Sequence, residues 1–219
     1  IASNGAATKI IDSVRATNAL TVEAWIAPAN TTQDGPARVV SISGDPQNRN
    51  FTLGQGQWNG RPSTVFGMRL RSTATNNNGE PDLFTPEGSA STGATHVLYT
   101  RDAGGTARLY VNGAEVSSGS TGGDLSNWNT GYPLVLGNEL SGDRPWLGQF
   151  YLVAVYNRAL DAGEVTQNFN AGLNAGAAPP PAPPTETPVP VVEDPGDAAH
   201  GPIPAAAGAS PRCRGARGR

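Results

Sequence analysis

The first part of the chain is a succession of short segments in which apolar and polar residues alternate. A period of two is typical of β-strands, because successive side chains point to opposite faces of a sheet. Glycine, asparagine and proline separate the segments, as expected for the turns of a sandwich or barrel. The pattern predicts strands at Leu20–Pro28, Ala37–Ser43, Asn50–Gly54, Thr64–Ser72, Thr95–Arg101, Thr106–Asn112, Ala114–Ser118, Pro133–Asn138 and Trp146–Asn157.

The last of these predicted strands is apolar on both faces. A strand that is buried on both sides is expected in the interior of a sheet. We therefore predict a central position for it. Its two faces are Phe150, Leu152, Ala154 and Tyr156 on one side and Tyr151, Val153 and Val155 on the other.

One segment has convincing helical signals. Asp161 can cap a first turn, and Glu164, three residues later, gives the spacing of a capping box. Val165 and Phe169 are four residues apart and form an apolar stripe, and Gly172 supplies a stop. The sequence predicts a short helix here, packed on the edge of the sandwich, and no other helix.

The composition changes near Ala175, after which proline and alanine dominate. Such a stretch offers few donors for a sheet and too little apolar area to offset the entropy of ordering. We predict one domain over 1–175 and a disordered Pro/Ala-rich linker or tail over 176–219. The final residues, RCRGARGR, are interpreted as a solvated end or an assembly artefact, with a nucleic-acid patch as the alternative.

Charge and cysteine content argue against several classes of function. The net charge of −3 comes with no visible basic face, so no nucleic-acid partner is expected. The single cysteine, Cys213, lies in the tail, which leaves no intrachain disulfide or CxxC pair. No apolar run is long enough to predict a membrane span. Because the chain begins with Ile1 rather than Met, we expect it to be a fragment of a larger protein.

Three segments resemble successive motifs of one known family. Leu20–Pro28 reads LTVEAWIAP, Thr95–Gly113 reads THVLYTRDAGGTARLYVNG, and Leu147–Leu160 reads LGQFYLVAVYNRAL, followed by Glu164 and Val165. In this order and spacing they resemble the laminin-G-like, concanavalin-A-like lectin/glucanase family. The resemblance implies an all-β, two-sheet antiparallel jelly-roll sandwich with one short C-terminal helix. It also implies an extracellular or cell-surface location.

The chain departs from the family pattern at Tyr151, where many relatives carry an acidic residue and some use it to bind calcium. The resemblance therefore supplies no calcium ligand, and we assign no metal ligands and no cofactor. Calcium stays open as an alternative, since oxygen-bearing side chains cluster at two other places. Asn and Asp also favour turns, which is the competing interpretation of Asp45, Asn48 and Asn50, and of Asn138 and Asp143.

The sequence contains no convincing catalytic set. Glucanases of this fold carry E-x-D-x-x-E on one strand, which directs their carboxylates to one face. The partial match begins at Glu80 and Asp82, but Pro81 separates these two and Thr85 replaces the third carboxylate. His96 is interpreted as a strand residue with a satisfied ring. We therefore predict that the domain is not an enzyme and has no catalytic residues.

Long polar loops are the candidate ligand-binding region. An aromatic ring can stack on the C–H face of a sugar while amides bind its hydroxyl groups. The alternative role for the loop tryptophans is to close the ends of the sandwich, since Trp is usually buried. The candidate ligand-binding residues are Asn127, Trp128, Asn129 and Tyr132 in one loop and Trp58 in another.

We therefore expect a non-catalytic binding or adhesion module of a larger exported protein. Its partners would be a glycan or an extracellular protein surface, together with covalently linked neighbouring domains. The first alternative is a structural accessory domain of a multidomain enzyme. A β-glucanase-type glycoside hydrolase is the second.

Overall fold

The computed structural model describes residues 1–33, 35–56 and 62–173, and these form two stacked antiparallel sheets. The larger sheet consists, in spatial order, of β1 (Ala2–Ala6), β10 (Pro133–Leu136), β3 (Ala37–Asp45), β4 (Asn48–Gln55), β5 (Phe66–Leu70) and β6 (Leu83–Phe84). The smaller sheet consists of β11 (Gly148–Tyr156), β2 (Leu20–Pro28), β7 (Thr95–Arg101), β8 (Thr106–Val111) and β9 (Ala114–Ser120). Helix α1 (Thr8–Thr17) follows β1, and helix α2 (Ala162–Ala171) follows β11.

The main core lies between the two sheets, as the alternation of apolar residues predicts. Leu20, Val22, Ala24 and Ile26 are every second residue of β2, and all are fully buried in this core. Their intervening neighbours face the other side of the smaller sheet. The larger sheet contributes its own alternating set, Phe51 and Leu53 from β4 and Phe66, Met68 and Leu70 from β5. The all-β sandwich is thus confirmed.

A second apolar cluster lies on the outer face of the smaller sheet, beneath α2. Val165 of the helix packs there with Leu98, Tyr110 and Leu160. The predicted capping box is present: the Asp161 side chain accepts from the Glu164 backbone N–H, and the Glu164 side chain accepts from that of Asp161. The helix begins and ends where these signals place it, with Gly172 as its C-cap.

Three elements were not predicted. Helix α1 has no side-chain cap at Ala7 and no acidic residue in its first turn, so it lacks the usual start signals. Burial of Ile11 and Val14 in the main core compensates for this deficit. Strand β1 is exposed throughout and has no apolar alternation, and β6 is only two residues long.

The predicted central position of the last strand was wrong, because β11 lies at the edge of the smaller sheet. Its two apolar faces are explained by packing against the main core on one side and against the cluster under α2 on the other. The predicted division of this strand's side chains between two faces is also wrong, since Tyr151 is an extra residue at a β-bulge between Phe150 and Leu152. Beyond the bulge, Val153 and Val155 join Phe150 at the core.

Candidate functional site

The loop predicted to bind a ligand lies at one end of the sandwich. Trp128 is only 3% exposed, its ring centroid is 6.0 Å from that of Phe51, and its indole N–H donates to the Arg71 carbonyl at 2.8 Å. The Asn127 amide donates to the Ser72 carbonyl at 2.8 Å. Trp128 therefore has the geometry of the alternative role, that of a residue closing the sandwich.

The other loop candidates differ in exposure. Asn129 is exposed, and its backbone exchanges two hydrogen bonds of 2.8 Å with the Asn50 side chain. Tyr132 is half-buried, with its ring against Gly44, where a Cβ would lie 2.6 Å from the tyrosine Cε1. Trp58 lies outside the described residues. Ligand binding by this loop stays a prediction.

The outer face of the larger sheet carries a polar cavity that the sequence did not indicate. Its volume is about 370 Å³, and arginine side chains from several elements converge on it. We call it the arginine cleft. Its lining residues are Pro36, Arg38, Pro46, Gln47, Arg69, Asn78, Glu80 and Arg144.

Arg38 forms one wall of the arginine cleft through a buried ion pair. Its Nε lies 2.9 Å from Glu139 Oε2, and both side chains are at most 1% exposed. Ser43 donates its hydroxyl to the other carboxylate oxygen. Burial lowers the pKa of Arg38 below its ordinary value, although Glu139 opposes the shift. The guanidinium is therefore fixed in place by bonds within the protein.

Arg69 is held by three side chains on the opposite wall. It lies 3.1 Å from Asp82, 3.2 Å from Glu80 and donates to Asn78 at 3.0 Å. A hydrogen bond from Asn76 and the positive charge of Arg69 keep the pKa of Glu80 below its ordinary value, against the opposing effect of burial. A general acid requires the opposite shift, so Glu80 is poorly suited to act as a general acid.

Arg49 lies beneath the cleft, between these two arginines. It is fully buried, and it donates to Thr52 Oγ1 at 3.3 Å and to the Pro46 carbonyl, which also accepts from Arg38. Its Nε has no hydrogen-bond partner among the described residues. Burial and the nearby Arg38 and Arg69 lower the pKa of Arg49 to about 9.

The oxygens considered for calcium are engaged in turns. Asp45 accepts from the Gln47 and Asn48 backbone N–H groups and from the Asn48 amide. Asn138 accepts from the backbone N–H groups of Glu139 and Arg144. Within the described ranges, no three His, Cys, Asp or Glu side chains are grouped to hold a metal ion. No described helix is long and apolar enough to cross a membrane.

These features define a jelly-roll sandwich with a polar cavity on one outer face. Residues 2–166 match the family model described as the concanavalin A-like lectin/glucanases superfamily. The chain belongs to this superfamily. A search by sequence among curated proteins gave no significant match.

Solved structures with the same fold include carbohydrate-binding domains. The CBM40 domain of the Ruminococcus gnavus IT-sialidase, bound to α2,3 sialyllactose, is similar with a TM-score of 0.58 and 17% identity, over 77% of this chain and 93% of that one. Domain 4 of the extracellular GH43 arabinanase AbnA from Geobacillus stearothermophilus, in complex with arabinotriose, has a TM-score of 0.51 and 20% identity, over 69% and 66%. A pentraxin from Limulus polyphemus has a TM-score of 0.51 and 18% identity, over 68% and 69%. At these identities the likeness shows the fold alone.

Proposed function

We propose that this domain is a non-catalytic carbohydrate-binding module whose ligand occupies the arginine cleft. One observation carries the proposal: the charged side chains of the cleft are already fixed by one another. Arg38 is held by Glu139, and Arg69 by Glu80, Asp82 and Asn78. Little side-chain entropy is then lost when a ligand binds, which favours affinity.

The chemistry of the cleft suits a ligand rich in hydroxyl groups. Guanidinium and amide N–H groups donate, while carboxylate and amide oxygens accept, so both roles of a hydroxyl can be met within one cavity. Charged partners strengthen these hydrogen bonds. The two sugar-bound relatives of the same fold, with sialyllactose and arabinotriose, support this class of ligand.

The absence of catalysis is part of the proposal. Glu80 and Asp82 are both committed to Arg69, and Glu139 is committed to Arg38. The lowered pKa of Glu80 makes it a poor donor of a proton to a leaving group. We also propose that the module serves a larger exported protein, in which linked neighbouring domains perform any chemistry.

A binding assay on the full chain tests this function. A glycan panel that includes sialyllactose and arabinotriose would be screened, and the hits would be measured by titration calorimetry. Arg144→Gln should weaken binding about tenfold or more, as expected for loss of a charged hydrogen bond. Gln47→Ala should weaken it less, by about fivefold, as expected for a neutral one.

Two matched variants control for effects outside the cleft. Arg108→Gln removes an arginine that forms an ion pair of 3.4 Å with Glu115, just as Arg144 forms one of 3.4 Å with Asp143. Gln167→Ala changes an exposed glutamine on α2. Both should leave affinity unchanged. Equal losses of affinity in Arg144→Gln and Arg108→Gln would contradict the arginine cleft as the binding site. Absence of binding to every glycan of the panel would favour a structural accessory domain.

A further inference from the structure

A second hollow lies beside β11, at the edge of the smaller sheet. Its volume is about 640 Å³, and Pro28, Leu147, Gln149 and Tyr151 contribute to its walls. Leu147 is 58% exposed and Tyr151 is 44% exposed, so two large apolar side chains face solvent next to each other. We call this hollow the Tyr151 groove.

The backbone around Tyr151 turns its ring outward. Phe150 pairs with Ile26 and Leu152 pairs with Trp25, which leaves Tyr151 as the extra residue of a β-bulge. Bulges re-aim side chains in this way and are frequent beside binding sites. The Tyr151 hydroxyl donates to Gln149 Oε1 at 2.8 Å, which holds the exposed ring in one orientation.

Shared lining residues relate the Tyr151 groove to the arginine cleft. A third hollow of about 400 Å³ lies between them, sharing Arg144 with the cleft and Leu147 with the groove. The segment from Arg144 to Tyr151 therefore borders all three. This segment has eight residues, and its two ends, seven steps apart along the chain, lie at most about 25 Å from each other, which limits the length of the path beside it.

We infer that the Tyr151 groove is a second sugar subsite, and that the ligand is an oligosaccharide crossing from the arginine cleft to Tyr151. The inference rests on the proposed function and names the ligand as an oligosaccharide rather than a single sugar. An exposed phenol ring offers a flat apolar face to the C–H groups of a pyranose or furanose. The exposed area of two side chains is far below the roughly 800 Å² per partner that a stable protein interface needs. The occupant is therefore small.

Dependence of affinity on chain length tests the inference. The full chain would be titrated with arabino-, xylo- and gluco-oligosaccharides of one to six units, and with sialic acid against sialyllactose. In the wild type, affinity for at least one series should rise about tenfold or more with length. Tyr151→Ala should remove this gain and leave the affinity for the short ligand within about twofold. Arg144→Gln should weaken short and long ligands alike.

Further variants separate stacking from folding. Tyr151→Phe keeps the ring and should keep most of the gain with length. If Tyr151→Ala is poorly folded, Tyr151→Thr takes its place in the titrations, because threonine suits a strand. Leu140→Ala is the control, because Leu140 is 51% exposed but lines none of the three hollows.

The outcomes distinguish the inference from the proposed function. The second subsite is overturned if affinity does not rise with oligosaccharide length, or if it still rises in Tyr151→Ala. Either result leaves the proposed binding in the arginine cleft unaffected. Absence of binding to every probe overturns both.

Discussion

The outer faces of the two sheets both bury charged side chains, but they do so in different ways. On the smaller sheet, Glu23 is 1% exposed and receives hydrogen bonds from His96, Tyr156 and Asn168, beneath a helix. Trp25 and Phe169 stack beside this carboxylate, with ring centroids 5.7 Å apart. On the larger sheet no described helix covers the face, and the buried charges border an open cavity.

The comparison separates a structural network from the surface that we propose binds a ligand. Under α2, Glu23 is 1% exposed and its carboxylate accepts from three side chains of the protein itself, so its oxygens are engaged in the network. Arg38 and Arg69 are bonded just as firmly, yet both line the arginine cleft. Burying charge costs free energy in either case. On the larger sheet Arg69, whose side chain is 10% exposed, lies at the wall of an open cavity.

The largest effect is expected from Glu139→Ala. The change leaves Arg38 buried without its carboxylate, and breaking such a pair typically costs about 3–5 kcal/mol. The control is Glu115→Ala, which breaks the surface pair with Arg108, whose side chains are 42% and 38% exposed. That variant should lose less than about 1 kcal/mol. Denaturant unfolding of both variants measures the two losses in free energy of unfolding. Similar losses would mean that the Arg38 pair is not effectively buried.

A smaller effect of opposite sign is expected from Arg49→Met. This arginine makes no ion pair within the described ranges, and burial together with Arg38 and Arg69 lowers its pKa to about 9. Replacing an uncompensated buried cation with an apolar side chain of similar length should raise the free energy of unfolding by about 1 kcal/mol. Arg38→Met is the matched control and should destabilise, since it leaves Glu139 unpaired. A destabilised Arg49→Met would show that the cleft needs this charge for stability.

The sequence predicts best what is determined within a few neighbouring residues. Leu20–Pro28 and Thr95–Arg101 are observed with the predicted bounds, because the apolar residues and the turn residues that delimit them are neighbours in the chain. The capping box at Asp161 likewise depends on residues three apart. Helix α1 was missed because its stability comes from burial of Ile11 and Val14 rather than from local signals.

The arginine cleft depends on strand register, which no local pattern reveals. Arg38 pairs with Gly54, and Thr52 pairs with Arg69, so the arginines converge only once three strands are aligned. The one local signal for the cleft is an arginine that alternates with apolar residues within a predicted strand. Tyr151 departs from the family pattern, but its exposure depends on a bulge that the sequence does not display.

The smallest effect concerns the covered face and its dependence on pH. Burial alone would raise the pKa of Glu23, but hydrogen bonds from His96, Tyr156 and Asn168, together with electrostatic attraction to His96, lower it below the ordinary value of 4.5. The unfolded chain therefore binds this proton at a higher pH than the folded chain does. The resulting stability is present above about pH 4.5 and is lost as the pH falls through the folded-state pKa. Denaturant unfolding at pH 7, 5, 4 and 3 should show a smaller acid loss in Glu23→Gln than in the wild type, because the amide cannot titrate. Equal losses would place the acid sensitivity in other carboxylates, with Glu80 on the uncovered face, whose pKa is also lowered, as the first to examine.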